Sequence, residues 1–243
     1  MTTSTAPALA VESVTVRFGG RVALDDVSLQ AEAGAVTGII GPNGAGKTTL
    51  FNVVCGLQRA HRGRVRLRGT DITAERTHRR ARLGLSRTFQ RLELFGALSA
   101  VANVRVAAGL RHHANPHAVA LALLDRVGVG HLADVRADEL PTGQARLVEM
   151  ARALATEPHV LLLDEPASGL DEGETAPFGT LLRELAAEGM AVVLVEHDVP
   201  LVLEVCDEVH VLDVGSVLAS GPPSAIRADE RVHEAYLGAM ELA

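Results

Sequence analysis

The chain has 243 residues, of which 47% are apolar and 22% charged, and a formal net charge of -7. This size buries a large core without a disulfide or metal staple, the balance is that of a soluble globular protein, and the acidic charge argues against a general nucleic-acid binder. No run of about 18 uncharged apolar residues occurs, so no bilayer span is expected, and the Thr/Ala-rich start Met1 to Ala10 has neither a basic residue nor a signal-like apolar core, which points to the cytosol.

Val11 to Phe18 and Val22 to Gln30 read as short strands joined at Gly19-Gly20. Ala35 to Ile40 is almost wholly apolar, the pattern of a strand buried on both faces of a parallel sheet. Directly after it comes Gly41-Pro42-Asn43-Gly44-Ala45-Gly46-Lys47-Thr48-Thr49, and a helix is expected over Lys47 to Cys55. Its first eight residues fit G-x-x-x-x-G-K-[ST], the phosphate-binding loop. Glycines let backbone N–H groups wrap phosphates, Lys47 supplies a point charge for the β- and γ-phosphates, and Thr48 offers a hydroxyl to Mg²⁺. The helix adds its positive N-terminal end. Lys47 is the only lysine in the sequence, so the Lys-containing motif with which Ras-type GTPases read guanine has no counterpart here. Cys55 and Cys206 lie far apart and read as small buried hydrophobes in a reducing compartment.

Arg59 to Arg91 is rich in arginine, and Arg62, Arg64, Arg66 and Arg68 alternate as on the solvent face of a strand. A solvated face or a protein-docking surface is expected there rather than a nucleic-acid site. Leu85 to Gln90 reads as a strand ending in glutamine, a weak signal taken alone. Leu92 to Leu154 is helix-like with no buried-strand pattern, so it is expected to be a helical insertion in the α/β core. Within it His113 and His117 stand four apart, but Pro116 argues against one continuous helix and against a metal pair.

Val160 to Leu163 is a second buried strand, closed by Asp164 and Glu165. Acids at the carboxyl end of such a strand lie where open α/β sheets bind ligands. Asp164 is placed to hold Mg²⁺ through water, and Glu165 to orient and polarise an attacking water. A helix over Phe178 to Glu188 leads to a third buried strand, Ala191 to Val195, which ends in Glu196-His197-Asp198. A histidine there can stabilise charge on a terminal phosphate. Glu208 to Asp213 and Ser216 to Ser220 form a closing hairpin about Gly215.

In this order, the motifs resemble the ATP-binding subunit of ABC transporters over essentially the whole chain. The resemblance implies an α/β P-loop NTPase core with a parallel sheet, an antiparallel β subdomain and an inserted helical subdomain near residues 92–154, all in one domain, 1–243. It implies that Phe18 stacks on adenine, that Gln90 is the Q-loop residue that contacts Mg²⁺ and moves with the membrane partner, and that His197 is the switch histidine. Ser168 to Asp171 resembles the D-loop, which touches the opposite subunit. The signature is Leu140-Pro141-Thr142-Gly143-Gln144, where the family pattern is Leu-Ser-Gly-Gly-Gln. Pro141 thus lacks the hydroxyl and N–H with which the family's serine meets the partner's γ-phosphate. Implied partners are a second ATPase subunit, two permease subunits and, indirectly, a solute-binding protein, with the chain peripheral on the cytoplasmic face of the membrane and no nucleic acid involved. A narrower resemblance, to the branched-chain amino acid importer branch, rests on Arg87-Thr-Phe-Gln90, Arg91 to Phe95, Val195-Glu-His-Asp198 and Ala235-Tyr-Leu-Gly238. Competing readings are a soluble non-transport ABC ATPase and a nucleotide-binding regulatory subunit with little turnover.

Overall fold

The computed structural model describes residues 6–111 and 113–237. Leu9–Phe18 (β1) and Arg21–Ala31 (β2) form the expected hairpin, turning at Gly19 and Gly20. Every residue of Val36–Ile40 (β3) is buried, as a central parallel strand requires. Lys47–Cys55 (α1) follows and stops at Gly56, whose φ of 77° makes a left-handed C-cap. Arg62–Leu67 (β4) and Thr70–Asp71 (β5) complete an antiparallel sheet in the order β2-β1-β4-β5. On β4, Arg62 and Arg64 face solvent while Val65 and Leu67 are buried.

The arginine-rich stretch is only partly a solvated face. Thr77–Arg82 (α2) turns Arg80 inward, where its guanidinium donates to Val53 O and Val54 O at 2.7 Å each. It also donates to Glu75 O at 3.0 Å and Thr73 O at 2.9 Å. The bonds to Val53 O and Val54 O satisfy terminal carbonyls of α1 and place a cation at the negative end of its dipole.

Leu85–Arg87 (β6) is shorter than the sequence suggests, and Gln90 lies beyond it in a loop. Ala100–Gly109 (α3), Pro116–Arg126 (α4) and Thr142–Leu154 (α5) then pack together. Pro116 opens α4, so His113 lies outside the helix that holds His117, 3.5 Å from Glu157 instead. Val160–Asp164 (β7), Glu172–Ala187 (α6), Ala191–Val195 (β8), Val199–Val205 (α7), Glu208–Asp213 (β9) and Ser216–Gly221 (β10) follow. Helix α6 begins at Glu172 rather than Phe178, because Asp171 and Glu174 form a capping box strong enough to carry it through Pro177. The second sheet has the order β10-β9-β3-β8-β7-β6, parallel except for the edge strand β10. Beyond Pro223–Ala228 (α8) the chain continues in helical turns to Leu237; Gly238 of the tail motif lies outside the described residues, as do residues 1–5.

Alternation along β7 and β8 divides two cores. Leu161, Leu163, Val192 and Leu194 point into a cluster shared with α3 to α7. Leu162, Val193 and Val195 point into a second cluster around α1 and the antiparallel sheet. Cys206 is buried in the first and Cys55 in the second, both as free thiols. Burial pushes the Cys206 thiol up to about 12, the mark of an inert packing cysteine. No described helix is long and apolar enough to cross a membrane.

Candidate active site

Parallel pairing brings the carboxyl ends of β3, β6, β7 and β8 to one edge of the sheet, the edge at which open α/β sheets bind ligands. The chain leaves β3 at Gly41, whose φ is 147°; a Cβ there would lie 2.0 Å from Leu212 O. Gly46 precedes α1 with φ 108°, and a Cβ would meet Leu24 Cδ2 at 2.7 Å and Ala23 O at 2.8 Å. Only glycine fits either place. Lys47 Nζ curls back to donate to Gly41 O at 2.5 Å and Pro42 O at 3.0 Å. Burial pulls its ammonium below the usual lysine value, an effect opposed by the charges of Glu165 and Asp164. The cation is thus centred over the loop, where phosphate oxygens can replace its carbonyl partners.

A cleft of 510 Å³ opens above the loop. Asn43 to Thr49 line its floor, with Gln90, Glu165 and His197 on one side and Phe18 at its rim. Phe18 is 52% exposed, so it is not a core residue, and its ring is free to stack. A larger cleft of 730 Å³ between the two sheets contains none of the motif residues.

Glu165 is the hub of the cleft. Its carboxylate meets His197 Nε2 at 2.7 Å and accepts from Gln90 Nε2 at 3.2 and 3.3 Å. Asp164, the last residue of β7, is buried and does not line the cleft, while Glu165 beside it does. The reason is a φ of 50° at Glu165, which turns the chain out of β7 while its N–H still donates to Val195 O at 2.8 Å. Such a left-handed residue costs about 1 kcal/mol, a strain typical of functional positions.

Sequence reasoning missed two partners here. Arg87 Nη2 donates to Asp164 Oδ2 at 2.8 Å and Nη1 to Asn52 Oδ1 at 2.7 Å, with the guanidinium 5.3 Å from the Phe51 ring and 4.8 Å from that of Phe89. Both members of the Arg87–Asp164 pair are buried, so Asp164 is fixed from behind rather than freely hydrated. Glu196, also buried, accepts from Ala167 N at 2.7 Å and His197 N at 3.0 Å, tying the turn at His197 to the segment after Glu165. Burial raises its carboxyl above the usual range, against those backbone donors.

Leu140 to Gln144 do not line the cleft. Pro141 is the N-cap of α5, and Gly143 packs so closely on the loop after β7 that a Cβ would lie 2.4 Å from Gly169 O. The signature and D-loop segments therefore stand back to back. Ser168 N donates to Glu165 O at 3.2 Å, and Asp171 is engaged within its own chain as the cap of α6, accepting from Glu174 N at 2.9 Å.

The ABC transporter family model matches residues 24–168, and a model described as branched-chain amino acid ATP-binding cassette transporter matches residues 216–241. The chain is 39% identical to the high-affinity branched-chain amino acid transport ATP-binding protein BraF of Pseudomonas aeruginosa, over 96% of this chain and 98% of that one. It is 38% identical to the lipopolysaccharide export system ATP-binding protein LptB of Acidithiobacillus ferridurans, over 95% and 96%. Among solved structures, the ADP conformation of an ATP-binding cassette of an ABC transporter superposes with a TM-score of 0.85 at 32% identity, over 96% of this chain and 100% of that one. The family match over residues 24–168, the relatives aligned along nearly the whole chain and the shared fold together show that the chain belongs to the ABC transporter family, as a nucleotide-binding ATPase cassette.

Proposed function

We propose that this cassette powers an importer of branched-chain or closely related amino acids. It would act as one of two ATPase subunits beneath a permease pair, on the cytoplasmic face of a membrane, with a solute-binding protein delivering the cargo. The observation that carries the ATPase role is the convergence of Gln90 and His197 on Glu165 beside Lys47. The cargo rests on the C-terminal match over 216–241, since identities of 39% and 38% do not separate amino-acid import from lipopolysaccharide export.

In this reading Gly41, Pro42, Asn43, Gly44, Ala45 and Gly46 cradle the phosphates, Thr48 and Thr49 bond to them, and Phe18 stacks on the base. Glu165 takes a proton from water as its oxygen attacks the γ-phosphorus and the bond to ADP breaks. His197 stabilises charge on the terminal phosphate oxygens. The residues fit Mg²⁺, which keeps several waters and takes few protein oxygens. Thr48 offers a hydroxyl; Arg87 occupies Oδ2 of Asp164 and Glu165 holds the amide nitrogen of Gln90, which leaves Oδ1 of Asp164 and the single amide oxygen of Gln90 for the cation. Bound Mg²⁺ would neutralise charge on the β- and γ-phosphate oxygens.

Because Leu140, Pro141, Thr142, Gly143 and Gln144 lie outside their own cleft, they would close the cleft of a second cassette, alongside Ser168 and Asp171. The permease would dock at a groove of 280 Å³ beside the Q-loop, edged by Phe95, Val106 and Leu110 at 54%, 48% and 73% exposure. Adjoining exposed apolar residues of this kind mark a partner surface. Inactivating the gene in its own cell is expected to abolish uptake of labelled leucine, isoleucine and valine. Wild type should restore uptake and Glu165→Gln should not. Undiminished uptake in the inactivated cell would refute the cargo assignment.

A further inference from the structure

Three charged residues repeat every third position along one face of α5, and all three grip the loop that holds Gln90. Arg146 Nη1 donates to Phe89 O at 2.6 Å, and its Nη2 donates to Gln90 O. Glu149 Oε1 accepts from Glu93 N at 3.1 Å, and Arg152 Nη1 donates to Glu93 O at 2.6 Å. The side chains of Arg146 and Glu149 are 8% and 2% exposed. Four main-chain groups between Phe89 and Glu93 are therefore held by the helix whose first turn carries the signature.

We propose that Arg146, Glu149 and Arg152 form a latch that makes the signature and the Q-loop move as one body, so that they position Gln90 in one ATP site while the same helix presents the exposed Thr142 to the other. They are positioning residues, since none touches the cleft. The proposal rests on reading Gln90 as the residue that meets the nucleotide's cation and Leu140 to Gln144 as the segment offered to a second cassette.

Packing alone does not account for this chemistry. Buried ion pairs are often no more stabilising than apolar side chains of equal volume, and this one leaves Arg146 Nε and Glu149 Oε2 without hydrogen-bond partners. Burial also pushes the Glu149 carboxyl above its usual range, against Glu93 N–H and both arginines. The slack suits a switch. Arg146 Nη1 stands 3.8 Å from Glu149 Oε2, about 1 Å beyond a charge-assisted hydrogen bond. A small rotation would exchange the Q-loop carbonyls for the carboxylate, giving a released arrangement in which the arginine keeps a partner.

The test compares wild type with Arg146→Gln, Arg152→Gln and Arg146→Lys in the full chain. Steady-state phosphate release, equilibrium binding of a fluorescent ATP analogue, and hydrogen exchange with and without ADP are the readouts. Both Gln variants are expected to bind nucleotide within about twofold of wild type and to lose about tenfold in kcat. Amides 89–93 should lose their nucleotide-dependent protection while amides 147–154 keep theirs, and Arg146→Lys should recover most of both. Unchanged kcat and unchanged protection in the Gln variants would overturn the latch. So would a loss matched by equal loss of protection along α5, which marks a packing role. If Arg146→Gln does not fold, Arg152→Gln decides alone. Wild type that binds ATP yet releases no phosphate would retire the hydrolytic reading, while exchange at 89–93 would still judge the latch.

Discussion

Pro141 caps α5 with φ -55° and ψ 150° but gives the helix no side-chain acceptor, and Thr142 beside it is exposed. Serine at that place would cap the helix, worth about 1 kcal/mol, and would return a hydroxyl to the segment proposed to meet the second subunit's phosphate. A hydrogen bond to a charged phosphate is worth roughly 1.5–3 kcal/mol, about ten- to hundredfold in rate if made in the transition state. Pro141→Ser is therefore expected to speed phosphate release at saturating ATP. Equal rates would show that Thr142 or the backbone already fills the role. At this scale the phosphate loop, Asp164, Glu165 and His197 were legible because each follows directly on a buried strand. Arg87 was not, since its partner Asp164 is 77 positions away and no local pattern joins them. Arg146 and Glu149 were hidden for the same reason: the signature helix shows its charges in sequence, but not the loop they grip.

Among the elements, the buried parallel strands were the easiest to read, because burial on both faces leaves an unbroken apolar run. Boundaries failed where local chemistry outweighed a breaker, as in α6, where the Asp171–Glu174 box starts the helix ahead of Pro177. The arginine-rich stretch misled at Arg80, which looks like one more surface charge yet is 3% exposed and bonded to four carbonyls. Removing it strips the C-terminus of α1, the helix that follows the phosphate loop. Arg80→Ala is expected to cost about 3 kcal/mol by leaving buried acceptors unpaired, a fall of roughly 6–12 °C in Tm for a chain of this size. Calorimetry measures it directly. A shift under about 2 °C would mean water replaces the guanidinium.

At the scale of the whole molecule, the proposed function makes this chain half of a reaction site. Its cleft holds the phosphate loop, Glu165 and His197, while its signature faces elsewhere, backed by the D-loop. The account joins these halves through a second cassette and assigns bond cleavage to Glu165, which the strained turn after β7 brings against His197 and Gln90. With that carboxylate neutralised, ATP would persist and hold two cassettes together, so Glu165→Gln in ATP and Mg²⁺ is expected to scatter light as twice 25.5 kDa. The most direct measurement is steady-state phosphate release by Glu165→Gln at saturating ATP, beside its affinity for a fluorescent ATP analogue. The expected result is unchanged affinity and a rate at least about a hundredfold below wild type, the usual contribution of a general base. A rate within about tenfold of wild type would contradict the account and assign the attacking water to another residue.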